Sequence, residues 1–275
     1  MHLRKRRAFT YKPPMFPPPS SLLFVNAPKN QLEQELYEFN LRSEQWTEYT
    51  TPYTCLIAKT SMNLVLVDTG AGSLDPNTGR LIQSLRAGGV KPEDIDTVIL
   101  THGHPDHIGG NTTSDGASAF PNARFVMLKK EWDFWTSEEE KTRVGEHMKP
   151  LFTMAHSGLM PIREQIDLID DDVEIVDSIR AVSAPGHTPG QMAVSISSEG
   201  NRLLCFADTV LHPIHMKRPN WHAVVDSSPK QVEETRLKLF NTALEQGALV
   251  LVFHFPFPGL GRIVSRNGQR MWQPI

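Results

Sequence analysis

Three imidazoles and a carboxylate fall within six residues of one another in Thr101-His102-Gly103-His104-Pro105-Asp106-His107. Imidazole and carboxylate are the ligands that suit zinc and similar divalent ions. The apolar run Thr97-Val98-Ile99-Leu100 comes directly before them. Along an extended chain His102 and His104 share a face while Gly103 points away. Pro105 then opens a turn or helix that carries Asp106 and His107 round to a second point. The segment thus holds donors for parts of two metal sites. Closure must come from elsewhere in the chain. His187 lies in the tight turn Ala184-Pro185-Gly186-His187-Thr188-Pro189-Gly190, Asp208 follows Leu203-Leu204-Cys205-Phe206-Ala207, and His254 follows Leu249-Val250-Leu251-Val252-Phe253. A lone histidine after a strand usually reads as a capped or solvated residue. Ligand types at several strand ends together are hard to explain by packing alone.

The elements that must position these residues are short. Leu64-Val65-Leu66-Val67, Arg124-Phe125-Val126-Met127-Leu128, Val173-Glu174-Ile175-Val176 and Met192-Ala193-Val194-Ser195-Ile196 join the runs above as expected strands, bounded by Gly, Pro, Asn or Asp. A helix is expected from Ser228, with Pro229 at its first position, Gln231 completing a capping box and Gly247 as its stop. Further helices are expected over 74–86 and 132–148. There is no fixed-period repeat and no long linker, so the expected architecture is one α/β domain with two sheets over 21–275. A basic, Pro-rich arm precedes it over 1–20, expected to lie extended on the body or on a second subunit of a homodimer.

Composition narrows the class. The chain has 275 residues, 39% of them apolar, which is enough to fill a core. A net charge of −3 argues against a nucleic-acid partner. The longest strongly apolar run is far too short for a membrane span. Arg4-Lys5-Arg6-Arg7 is followed by prolines rather than an apolar stretch, so a secretory signal is not expected and a cytoplasmic location is. Two cysteines cannot make a disulfide framework. Cys205 sits inside an apolar run and reads as core.

The set His102-x-His104-x-Asp106-His107, His187, Asp208 and His254, with Leu66-Val67-Asp68-Thr69-Gly70 upstream, resembles the metallo-β-lactamase superfamily of metallohydrolases. That resemblance implies a four-layer αββα sandwich of two mixed sheets with helices outside and the metals at one edge. It implies that His102, His104 and His187 bind one metal, that Asp106, His107 and His254 bind the other, and that Asp208 bridges them. Asp68 would be a supporting carboxylate. The stretches around Trp132-Asp133-Phe134-Trp135, Asp208-Thr209-Val210-Leu211-His212 and His254-Phe255-Pro256-Phe257 are similar to the branch holding methyl parathion hydrolase, lactonases and aryl esterases.

The expected activity is that of a dinuclear hydrolase. Two divalent ions, zinc first and Mn, Co, Fe or Ni by supply, share a bridging water and lower its pKa. The resulting hydroxide cleaves small apolar esters or lactones, with Asp106 or Asp208 as proton acceptor. Alternatives are a phosphotriesterase and a non-catalytic, metal- or ligand-binding member of the fold. Trp135, Leu211, His212 and Phe255 are the expected substrate contacts, and the stretch 216–225, carrying Trp221, is a candidate lid. Many lactonases of the resembling group carry a Tyr three residues after the bridging Asp. Here that position is Leu211, and all four tyrosines lie within the first 53 residues.

Overall fold

The computed structural model describes residues 9–11, 19–146 and 148–275, so most of the 1–20 arm lies outside the described residues. A short antiparallel pair, β1 (Phe9–Tyr11) on β2 (Tyr49–Thr51), comes first. A mixed sheet follows in chain order: β3 (Leu56–Lys59), β4 (Leu64–Val67), β5 (Thr97–Ile99), β6 (Arg124–Leu128) and β7 (Ile166–Ile169). β3 is antiparallel to β4, and the rest run parallel. The second sheet holds β8 (Glu174–Val176), β9 (Ile179–Ser183), β10 (Met192–Ser198), β11 (Asn201–Cys205), β12 (Leu249–Leu251), β13 (Leu260–Arg266) and β14 (Gln269–Pro274). In it β11 and β12 are parallel and the other neighbours antiparallel.

Nine α-helices are described: α1 (Pro19–Leu23), α2 (Lys29–Tyr37), α3 (Leu81–Ala87), α4 (Pro105–Ile108), α5 (Lys129–Thr136), α6 (Glu138–Arg143), α7 (Lys149–Leu159), α8 (Ile214–Lys217) and α9 (Pro229–Glu245). Side-chain alternation along the strands sets the layers. Phe125 and Met127 of β6 pack outward against Leu85 of α3, Trp135 of α5 and Phe152 of α7. Val126 and Leu128 point the other way, into a core shared with Val194, Cys205 and Leu251 of the second sheet. Leu204 and Val250 of that sheet then face Leu239 and Phe240 of α9. The result is the αββα sandwich.

Local chemistry moved two helices from their expected limits. The segment 74–80 is a turn, with the Thr78 hydroxyl bonding the carbonyls of Gly72 and Asp75, so α3 starts only at Leu81. The expected helix over 132–148 is split, because Ser137 takes extended backbone and caps α6 by accepting from Glu140 N–H. The helix expected from Ser228 forms as α9, its N-cap hydroxyl accepting from Gln231 N–H.

α1 and α2 cover the segment after Asp208. Phe24, Leu36 and Trp46 pack with Leu211, Ile214 and Trp221, while Glu35 pairs with Lys217 and Arg218 at 3.4 and 2.9 Å. His215 ties both parts together, donating from Nε2 to Leu23 O and accepting at Nδ1 from Leu211 N–H. The stretch 216–225, the candidate lid, is held against the body. Arg236 of α9, fully buried, donates to the carbonyls of Pro219 and Trp221 and so ties that stretch down.

His212 lies among Phe24, Phe39 and Trp46, and burial pushes its imidazole from 6.5 down to about 3. The unfolded chain therefore takes up a proton there that the folded chain does not. Stability from this group is complete above pH 6.5 and is lost as pH falls towards 3. Urea unfolding at a series of pH values should show His212→Gln with a flatter acid limb, by about 1.4 kcal/mol per pH unit. An unchanged slope would mean that His212 charges freely in the fold.

Candidate metal centre

Parallel pairing places the ends of β4, β5, β11 and β12 on one edge of the sandwich. β5 runs out through Thr101 into the His102–His104 loop, and Pro105 at the first position of α4 turns Asp106 and His107 inward. β11 ends in a turn carrying Asp208, β12 leads to His254, and the β9–β10 loop carries His187. Two residues there hold left-handed backbone, Asp68 at φ 57° and Ala207 at φ 47°. Such strain at strand ends marks side chains aimed by their surroundings.

The seven residues form two groups that share one carboxylate. His102, His104, His187 and Asp208 make the first, and Asp106, His107, His254 and Asp208 the second, with the donor atoms of each group within 4.8 Å of one another. In the first group His104 Nδ1 lies 3.1 Å from His102 Nε2 and 2.9 Å from His187 Nε2. Asp208 Oδ2 is 3.4 Å from His187 Nε2 and 3.0 Å from His254 Nε2. In the second group His107 Nε2 is 3.2 Å from Asp208 Oδ1, and Asp106 Oδ2 is 3.4 Å from His254 Nε2. Asp106 is the open member, its side chain 20% exposed against 4% for Asp208.

The far nitrogens decide what this centre can hold. His107 Nδ1 donates to Asp68 Oδ2 and His187 Nδ1 to Asp226 Oδ1, both at 2.8 Å. His254 Nδ1 donates to Thr51 Oγ1 at 2.9 Å. His102 Nδ1 donates to Thr101 Oγ1, whose own proton goes to Asp68 Oδ2. With protons fixed there, four Nε2 lone pairs point inward, towards one another and towards Asp208. One proton on His104 Nδ1 cannot bridge them all, and both His107 Nε2 and Asp208 Oδ1 are buried with no hydrogen-bond partner. Divalent cations fit such a donor set, in which four of the five histidines already have their outer hydrogen bonds and only His104 Nε2 lacks one.

Electrostatics agree. Burial, reinforced by neighbouring imidazoles, holds His102 and His104 neutral, well below the usual imidazole value. At His107 burial opposes charge, but Asp208, Asp68 and Asp106 outweigh it and raise that ring. Burial would raise Asp208, yet His254 and His107 hold it well below the carboxylate range. A pocket that pulls protons onto buried imidazoles also favours metal cations.

A model of the metallo-beta-lactamase superfamily matches residues 50–243. The chain belongs to this superfamily. A superfamily relative, an N-acyl homoserine lactonase of Bacillus cereus, is 26% identical over 173 residues, covering 56% of this chain and 61% of its own. The chain thus spans about three fifths of the curated lactonases it matches. AidC, a dizinc quorum-quenching lactonase solved with a product, superposes with a TM-score of 0.85 at 25% identity, over 98% of this chain and 92% of its own. The hydrolase AbOPH has the same TM-score at 24% identity, over 99% of each chain, and shows the shared fold.

Within this superfamily frame, the expected substrate contacts need correction. Trp135 is 1% exposed, wedged between His104 and Phe152, and has no surface to offer a substrate. Phe255 is fully buried on the α9 side of the second sheet, against Trp272. Phe253 takes the place next to the centre, stacked on His107 with ring centroids 3.8 Å apart. The Leu211 side chain joins the apolar cluster under α1, and His212 lies beside it.

Other residues at the centre escaped the sequence reading: Thr51, Thr101, Glu131, Asp226 and Tyr53. Tyr53, half-buried, sets its ring edge against His254 with centroids 5.6 Å apart. Burial, then the charges of Asp106 and Asp208, push its phenol well above the usual range, so it stays an O–H donor. Tyr49 donates to the carbonyl of Leu211 at 2.9 Å. Metal analysis of purified, zinc-supplemented protein should give two ions per chain, and Thr51→Val should weaken the second by about tenfold. A single ion at saturation would dissolve the two-group description.

Proposed function

We propose that the protein is a dinuclear metal-dependent hydrolase that opens small lactones bearing an apolar group and also cleaves activated aryl esters. The observation that carries this reading is Asp208, one carboxylate facing two sets of inward lone pairs. In it His102, His104, His187 and Asp208 hold one ion, and Asp106, His107, His254 and Asp208 the other. Two zinc ions would supply Lewis acidity and lower the pKa of water towards neutrality.

The side chains do the remaining work. Burial keeps His102 and His104 neutral, and the outer hydrogen bonds of the other imidazoles keep the donors converged. Asp106, the most open carboxylate, accepts the proton released on attack. Tyr53 faces the same carboxylates and donates to the leaving oxygen, the task that a Tyr at the Leu211 position would otherwise have. Phe39, exposed and set edge-on to His212, offers an apolar surface to an acyl chain. Similarity to the N-acyl homoserine lactonases supports lactones over phosphotriesters.

Zinc-loaded protein assayed at one pH against an N-acyl homoserine lactone, p-nitrophenyl acetate and a phosphotriester should give the highest kcat/KM with the lactone. A chelator should abolish turnover and zinc restore it. Faster phosphotriester turnover, or none of any substrate, would reject the proposal.

His104→Ala and Asp208→Ala should abolish hydrolysis. Cys205→Ala should keep it, losing roughly 1–3 kcal/mol of stability as a core truncation. A folded, metal-replete but inactive Cys205→Ala protein would contradict that division of roles.

Tyr53→Phe should slow lactones about 10²-fold, as expected for loss of a proton donor, and aryl esters far less, because p-nitrophenolate leaves without a proton. Equal losses on both substrates would remove Tyr53 from the leaving oxygen.

A further inference from the structure

Glu131 looks, in sequence, like one charge among Lys129, Lys130 and Asp133 on an exposed helix. In the fold its neighbours are solvated and Glu131 is fully buried. A buried carboxylate persists only when donors surround it. Oε1 accepts from Gly103 N–H at 2.8 Å and from Trp135 Nε1–H at 2.6 Å. Oε2 accepts from the Thr188 hydroxyl at 2.8 Å and from Gly190 N–H at 2.9 Å. Burial pushes the carboxyl up, and these four donors pull it back.

Three of the four donors come from the two loops of the first ligand group, and the fourth, Trp135, lies on α5 itself. Gly103 separates His102 from His104, and Thr188 follows His187. Two glycines allow α5 to approach so closely. A Cβ on Gly103 would overlap the indole of Trp135, and one on Gly190 would overlap the backbone of Glu131. Trp135, one turn beyond Glu131, sets its ring edge against His104. The second group hangs on other residues, His107 on Asp68 and His254 on Thr51.

We propose that Glu131 is a positioning residue that presets the His102–His104–His187 group for its cation and leaves the intrinsic affinity of the isolated Asp106–His107–His254 group unaffected. This rests on reading the two groups as metal sites.

Glu131→Gln keeps the size but turns one acceptor into an NH₂ that meets N–H or O–H donors. It is tested in two backgrounds, His254→Ala, which isolates the first group, and His104→Ala, which isolates the second. Metal-free proteins are titrated with Co²⁺ and followed by visible absorption. Glu131→Gln should weaken Co²⁺ about 10–100-fold in the His254→Ala background and change it less than about twofold in the His104→Ala background. Thr188→Val removes one donor with little change of volume, and Trp135→Phe removes another while keeping an aromatic ring in the core. They should weaken the first group in the same direction, and they carry the test if Glu131→Gln does not fold. Equal losses in both backgrounds would show general destabilisation and overturn the proposal, as would unchanged affinity in the first. If protein with all seven ligands takes up no Co²⁺, the metal reading itself falls.

Discussion

Lone pairs that face one another across about three ångströms govern this molecule. Four histidines give their outer N–H to Asp68, Thr101, Asp226 and Thr51, which leaves acceptors crowded at the edge of the sandwich. Such crowding is tolerable only around positive charge, and an acceptor buried without a partner costs roughly 1–3 kcal/mol. Much of the surrounding fold holds that arrangement against relaxation. Arg236 ties the loops after Asp208 to α9, α1 and α2 seal the segment beyond, and Glu131 joins the two loops of the first group. Rigid support of this kind lets imidazoles from three separate strand ends, and Asp208 from a fourth, keep a common focus.

The seven residues that converge at the sheet edge stood out in the sequence because histidine and aspartate lay at the ends of apolar runs, where a strand must stop and a loop begin. The layered architecture followed from those runs and from the resemblance they carried. The supporting residues were hidden for a physical reason. Thr51 meets His254 across 203 positions of sequence, and Asp226 looks like part of a helix start in Asp226-Ser227-Ser228. Glu131 sits among lysines and has the composition of a solvated face. One local signal was available: Glu131 and Trp135 are four residues apart, so they share a helix face, and a face that buries Trp135 also buries Glu131. The same spacing would have moved Trp135 from the substrate wall to the core.

Phe255 was misplaced by a simpler route. It follows His254 in sequence, but residues one apart at the end of a strand look in opposite directions. Its ring therefore joins the α9 layer, while Phe253, on the other side of His254, stacks on His107. The strands that were missed, such as β2 and β7, are short or polar. They form because neighbours already in place offer them backbone partners.

Asp68 touches both halves of the centre. Its Oδ2 accepts from His107 Nδ1 and from the Thr101 hydroxyl, which in turn accepts from His102. An unbroken hydrogen-bonded chain therefore runs from His102 through Thr101 and Asp68 to His107, separate from the carboxylate of Asp208. An ion drawing electron density from one imidazole makes its outer N–H a stronger donor, and each bond along the chain polarises the next. Occupancy of one half is thereby felt in the basicity of the other. The pair should load as linked equilibria, with a shape of uptake curve that two separate wells would not give.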